Sequence, residues 1–574
     1  MIMALTTASR QILWSLLALV VVHTQRTVPL AAQPTQQRVA ADLLLYNARV
    51  YTADSAFRVV EAVAVRSGKI LALGASNDLI ARFRAKHTVD ARGASVYPGF
   101  YDAHAHLFGY GKTLQEADLK GTRSFQEVLE RLKAYRKAYP TKRWIVGRGW
   151  DQNDWADKTF PTKEPLDSLF PDIPVCLTRV DGHALLANSK ALALARVSEN
   201  TAVEGGLVET MNGKLTGILL DNAMERVTMR IPPLTLREME EAILAAEQRC
   251  FAVGLTSVAE AGVPHELVEV YKRLYASKRL RVRVYAMLTP TEEHVERYLR
   301  QGVFQNEYLT VRSFKVMADG ALGSRGACLL APYSDKPTTQ GFLTIDPAAF
   351  ERLVKRVSRT SFQINTHCIG DSANRLVLNI YGKYLGELHA PTNEQRRDMA
   401  TDKRWRIEHA QIVAPEDVAM FRRFTILPSV QPTHCTSDMR WAGERLGSER
   451  IKTAYIFRDL LEQNGILPLG SDFPVEDINP LYGFHAAVSR QDANNMPPNG
   501  FQAEQALSRK AALRGMTYDA AYAGYEDHFK GTLEVGKLAD MVVLDGDIMT
   551  LPNEQLRSVK VLYTISGGKV VYKR

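Results

Sequence analysis

His104 and His106 stand one residue apart in "YPGFYDAHAHLFG" (97–109), beside Asp102 and at the end of an apolar run. Side chains alternate faces along a strand, so histidines at i and i+2 point the same way and can reach one cation. Alone, the pair is equally well two histidines that fall at a strand end. Four further polar groups close apolar runs in the same manner: Lys315 in "SFKVMADG", His367 in "INTHCIGD", His409 in "RIEHAQ" and Asp472 in "LGSDFP". Singly, each has a plain structural alternative, as a snorkelling lysine, a hydrogen-bonded core histidine or an aspartate capping a helix. A polar group buried without a partner costs on the order of a few kcal/mol. Four imidazoles, one lysine and one carboxylate gathered at the same end of buried strands are therefore most simply explained by cations.

The elements that must position these groups follow from the hydrophobic pattern. Strand-like runs fall at 95–104, 254–262, 281–288, 312–320, 362–368, 404–411, 425–432 and 466–472, with helical stretches such as "LREMEEAILAAEQRCFAVG" between many of them. Continuous apolar strands alternating with helices imply a parallel sheet covered on both faces. Eight such units predict an α/β fold, a distorted (β/α)8 TIM barrel over 99–526, whose functional groups sit at the C-terminal strand ends. Residues 107–225 carry extra strand-like runs ("WIVGRGWD", "VCLTRVDGH") and read as an insertion between the first and second strands. Residues 42–98 and 527–574 alternate in the manner of strands, with Gly567-Gly568 as a hairpin turn. They predict a small composite β-sandwich domain built from both ends of the chain.

Composition narrows the function classes. The 574 residues carry a net charge of +9, 46% hydrophobic and 24% charged residues, with no run of five or six like charges, so a nucleic-acid partner is not expected. Five scattered cysteines without a C-x-x-C pair argue against a disulfide framework or a cysteine zinc site. Arg10, the apolar run 12–22, a polar stretch and then Ala31 and Ala32 fit a secretory signal peptide over about residues 1–32. The apolar run is shorter than the roughly 20 residues that span a bilayer. Export to the periplasm or the exterior is expected, with no stable membrane span once the signal is removed. An uncleaved signal anchor or a mis-assigned start is the alternative, and association of copies of the chain is left open.

With these motifs in place, the chain resembles the amidohydrolase superfamily, and more narrowly its YtcJ-like, amidohydrolase-3 members. "YPGFYDAHAHL", "GRGWDQNDW", "DGHALLANSKAL", "FKVMADGALGSRGA", "NTHCIGDSAN", "RIEHAQIV", "SVQPTHCTSD", "PLGSDFPVE" and "GKLADMVVLDGD" carry the resemblance, which spans about residues 42–574. It implies two divalent ions, zinc by ligand type with manganese or iron as alternatives, bridged by a carboxylated Lys315. His104 and His106 would hold one ion and His367 and His409 the other. Asp472 would be both a ligand and the catalytic residue that relays a proton from a metal-activated hydroxide to the leaving nitrogen. A mononuclear site with unmodified Lys315 is the variant.

The resemblance also places Trp150, Asp151, His183, Arg325 and His434 in blocks that line the substrate pocket. Core packing for Trp150 and a surface salt bridge for Arg325 are the alternatives. Asp319 and Asp371 would orient the ligands. The implied activity is an exported metal-dependent hydrolase of C–N bonds in a small amide, an N-acyl amine or an N-formyl amine. The same site on a cyclic imide, carbamate or ester, or acting as a deaminase, is the neighbouring reading. A metal-free, inactive binding module is the reading from another class.

Overall fold

The computed structural model describes residues 38–386 and 402–574. The expected signal peptide lies outside the described residues. Seven parallel strands form the central sheet: Phe100–Ala105, Leu255–Val263, Arg283–Leu288, Leu309–Met317, Gln363–Cys368, Arg406–His409 and Leu427–Ser429, hydrogen-bonded in that order. The eighth position is filled by residues 466–472 without a regular ladder. Val430 and Leu469 make a single parallel bridge. Gly470 donates to Val430 at 3.0 Å, Ala103 to Leu469 at 3.1 Å and Asp472 to His104 at 2.7 Å. Pro468 has no N–H for a ladder, and Gly470 sits against His104 where a Cβ would find no room, so closure is irregular at this point. The fold is a distorted TIM barrel with an additional sheet domain.

The run 95–104, expected as one barrel strand, is two strands in different sheets. Ser95–Pro98 pairs antiparallel with Met541–Leu544, whereas Phe100–Ala105 pairs parallel with Leu255–Val263. Gly99 makes the switch, because a side chain there would collide with Thr256. Ser95–Pro98 belongs to a six-stranded sheet that also holds Val561–Ser566 and Lys569–Lys573. A four-stranded sheet with Val39–Tyr46 at its centre faces it. Leu43, Leu45, Val63 and Val65 from one sheet meet Val50, Val96, Met541, Val543 and Ile565 from the other in a shared core.

Between the first and second barrel strands the chain builds a further six-stranded sheet. Its order is Gly206–Met211, Lys214–Asp221, Ala184–Ala187, Val175–Arg179, Ile145–Trp150 and Ala117–Asp118. This sheet has apolar cores of its own on Leu119, Leu132, Leu177 and Ile218 and on Leu185, Leu192 and Leu219. Helix Leu236–Ala252 then leads back to the barrel, started by a reciprocal cap between Thr235 and Glu238. Among the described residues no helix is long and apolar enough to cross a membrane.

Candidate metal centre and its pocket

His104 closes the first barrel strand and is fully buried, while His106 follows the strand end just before helix Leu107–Thr113. Simple alternation does not govern this end of the strand. The pairing with Leu255–Val263 slips between Val258 and Glu260, opposite the stretch from Asp102 to Ala105. Asp102 ties the slipped strand to residue 471, accepting from the Ser471 hydroxyl at 2.6 Å and from the His104 amide at 3.1 Å. Asp472 and His409 occupy left-handed backbone positions, φ 61° and 72°, which aim their side chains out of the regular strand directions.

The six residues singled out from the sequence meet at the C-terminal mouth of the barrel. Ligand atoms of His104, His409 and Asp472 lie within 4.8 Å of one another. His106 Nε2 is 3.1 Å from Asp472 Oδ1, and His104 Nε2 is 3.6 Å from the same oxygen. Lys315 Nζ lies 3.1 Å from His104 Nε2. The His367 ring stands edge-on to His409 with centroids 4.4 Å apart.

The electrostatics suit metal binding, which requires neutral imidazole and ionised carboxylate. Burial, then the nearby Lys315 charge, brings His104 down to about 4. Burial likewise holds His367 and His409 well below the ordinary histidine value. For Asp472 burial works the other way, but the His106 hydrogen bond and the surrounding histidines keep it well below the usual carboxylate range. Burial lowers the Lys315 amine to about 8, within reach of the neutral form that adds carbon dioxide. His409 Nδ1 is buried with no hydrogen-bond partner. Buried polar atoms are rarely left so. An orphaned imidazole nitrogen beside an ionised carboxylate and a softened lysine fits a divalent cation.

A residue that the motif reading missed holds this cluster in place. Glu408 Oε2 lies 2.6 Å from His104 Nδ1, and Arg406 Nε lies 2.6 Å from the other Glu408 oxygen. Arg406 also donates to the Ala103 carbonyl at 2.6 Å and to the Ser429 hydroxyl at 2.9 Å. Both residues are fully buried. Burial would raise the Glu408 carboxyl, but Arg406 and His104 hold it at about 2. A carboxylate on the far nitrogen of a ligating histidine fixes tautomer and ring orientation. Its sequence signal was present: Arg406 and Glu408 are two charges at i, i+2 on an otherwise apolar strand.

The five pocket residues divide. His434 stacks on His409 with rings 15° apart, and its buried Nε2 lies 3.9 Å from Asp472 Oδ2. The His183 ring lies 5.1 Å from the His367 ring. Trp150 is placed otherwise: it is 1% exposed within the core of the inserted sheet, and its indole N–H donates to Leu177 at 2.9 Å. Its bulk is used for packing there, against Trp155 and Phe160. The Asp151 carboxylate pairs with the buried Arg179, which also binds Asp181. Arg325 pairs with Asp335 at 2.8 Å, a partly exposed salt bridge. Asp319 accepts three backbone N–H groups and lies 3.7 Å from His367, so it backs that histidine. Asp371 instead receives the Leu330 N–H at 2.8 Å.

A family profile described as "Amidohydrolase family" matches residues 87–572. The chain belongs to that family. It is 34% identical over 93% of its length to "Protein LONG AFTER FAR-RED 3" of Arabidopsis thaliana, of which 92% is covered. It is 31% identical over 90% of its length to the putative amidohydrolase YtcJ of Bacillus subtilis, of which 96% is covered. An N-substituted formamide deformylase of Arthrobacter pascens is 26% identical over 94% of this chain and 99% of its own. Among solved structures, an uncharacterized metal-dependent hydrolase from Pyrococcus horikoshii superposes with a TM-score of 0.72 at 28% identity, covering 89% of this chain and 99% of the other. This amidohydrolase is thus a metal-dependent hydrolase by family, within the YtcJ-like branch.

Proposed function

We propose that the protein is an exported amidohydrolase that cleaves the C–N bond of a small N-acyl or N-formyl amine. The observation that carries this reading is the gathering of His104, His106, Lys315, His367, His409 and Asp472 at the barrel mouth, with His409 Nδ1 buried and left without a hydrogen-bond partner. The formamide deformylase among its relatives supports an N-formyl amine as the first substrate to try. His104, His106 and Asp472 would hold one divalent ion and His367 and His409 another, with Lys315 between them as a carbamate. Zinc suits these ligands. Bound metal supplies a hydroxide nucleophile at neutral pH and polarises the substrate carbonyl.

The side chains supply the rest. Asp472, held ionised among histidines, takes a proton and returns it to the departing nitrogen. His434 lies beside His409 and His183 beside His367, and both would contact the substrate. Glu408 keeps His104 aimed at the centre. Burial beneath the mouth limits the water that competes for these groups.

The test is a panel of N-formyl and N-acyl amines given to zinc-loaded protein, with formate or carboxylate, amine and ammonia measured separately. Release of carboxylate and amine in equal amounts is expected. Ammonia alone would replace the reading with deamination. Metal analysis should find close to two ions per chain, and an active enzyme without metal would end it. Export is tested by fusing residues 1–40 to a reporter active only outside the cytoplasm. A reporter retained in the cytoplasm would remove that part.

A further inference from the structure

The inserted sheet delivers a further carboxylate to the mouth of the barrel. Strands Ala184–Ala187 and Lys214–Asp221 pair antiparallel with Ala184 opposite Leu220, which sets His183 opposite Asp221. The Asp221 amide donates to the His183 carbonyl at 3.1 Å. The rings and carboxylates repeat the pairing, with His183 Nδ1 2.6 Å from Asp221 Oδ1. An ionised carboxylate only accepts, so Nδ1 carries the proton and Nε2 is the nitrogen left for other work. The ring then rests 5.1 Å from His367, with the His183 side chain 14% exposed.

Asp221 is held in a costly setting. Its backbone lies at φ 48° and ψ −125°, outside the regions a residue with a side chain ordinarily takes. Oδ2 is buried without a hydrogen bond. Gly320 and Gly326, in the loop that follows the Lys315 strand, lie against the carboxylate without a side chain to displace it. A Cβ on Gly320 would come within 2.7 Å of Oδ2, and one on Gly326 within 2.6 Å. Strain, an orphaned oxygen and two glycines that leave room for it meet at one side chain. Its one directed polar contact is to a histidine beside the metal ligands.

We propose that Asp221 is a positioning residue that orients His183 so that Nε2 meets the amide group of the substrate. The inserted sheet thereby contributes to recognition through one histidine, while the barrel keeps the ligands. The substrate contact rests on the amidohydrolase reading above, whereas the orientation of the ring does not.

The experiment compares Asp221→Ala, Asp221→Asn and Gly326→Ala with the wild type. N-phenylformamide is the kinetic probe, and metal content is measured in each. Asp221→Ala should raise KM about tenfold, the worth of one directed hydrogen bond, with metal content unchanged. Asp221→Asn, whose amide oxygen still accepts from Nδ1–H, should recover most of that loss. Gly326→Ala, which pushes the carboxylate aside, should follow Asp221→Ala. Unchanged KM in Asp221→Ala, or loss of metal from it, overturns the proposal. Nitrogen-15 NMR of the histidines reads the ring without activity. At alkaline pH wild-type His183 should carry its proton on Nδ1 and lose that preference in Asp221→Ala. A wild-type proton on Nε2 overturns the proposal even if the probe is hydrolysed. A protein that cleaves no probe but shows the Nδ1 proton and its loss defeats the functional reading and upholds the positioning.

Discussion

Both ends of the barrel bury charge, but they treat it differently. At the N-terminal end Glu526 accepts from Tyr101 at 2.8 Å and Thr310 at 2.7 Å, and it pairs with Lys530 at 2.7 Å. Lys530 also donates to Ser257 at 3.1 Å, and Arg283 makes a two-pronged bond to Asp540 at 2.6 and 2.9 Å. None of these groups is left without a partner. At the C-terminal end His409 Nδ1 and His434 Nε2 are buried without a hydrogen-bond partner, and Lys315 Nζ lies 3.1 Å from a histidine nitrogen. A charge network that closes on itself holds the barrel together. One that leaves buried imidazole nitrogens over has donor atoms free for a bound group. This is the division of labour expected of the fold, with stability below and chemistry above.

Substitutions at the two ends should therefore fail in different ways. Asp472→Ala should abolish turnover by at least about a thousandfold, the upper range for a proton-transfer group, while the melting temperature of metal-free protein holds or rises. Steady-state kinetics and calorimetry read the two effects. A cooperative loss of fold would show that the top is structural as well. Glu526→Ala should do the reverse. It strands the buried Lys530 and should cost about 3–5 kcal/mol in denaturant unfolding, with kcat of the folded fraction preserved. Equal losses of activity and stability there would erase the contrast.

A smaller effect is expected one layer below the six candidate residues. Glu408→Gln should weaken metal affinity by about 10–100-fold, measured by competition with a chelating dye. Affinity unchanged would mean that Arg406 and the backbone alone hold His104. Smallest of all, Arg325→Ala should change stability by less than about 1 kcal/mol, since the pair with Asp335 is partly exposed and Asp335 keeps Arg445. A large rise in KM from that substitution would return Arg325 to the pocket.

Much of the site was legible because strand ends are local features. Lys315, His367 and His409 each close an apolar run, and the barrel rule turns a shared strand end into a shared location. Glu408 was passed over although it precedes His409, because its partner His104 lies 304 residues away. Trp150 shows the opposite error. A tryptophan in a motif marks a bulky apolar group, and only the packing of the inserted sheet decides whether that bulk faces a pocket or a core.

The sequence by itself determined most of the strands, their alternation with helices and the residue types at their ends, since hydrophobic period and turn residues act over a few positions. Tertiary structure decided what depends on distant chain segments meeting. Among these are the sheet switch at Gly99 against Thr256, the slipped register beside His104 and the left-handed turns that re-aim His409 and Asp472. The Asp221 carboxylate held between two glycines of another loop is a further case. Such contacts depend on where backbones from separate parts of the chain come together, and no local pattern of side chains encodes that.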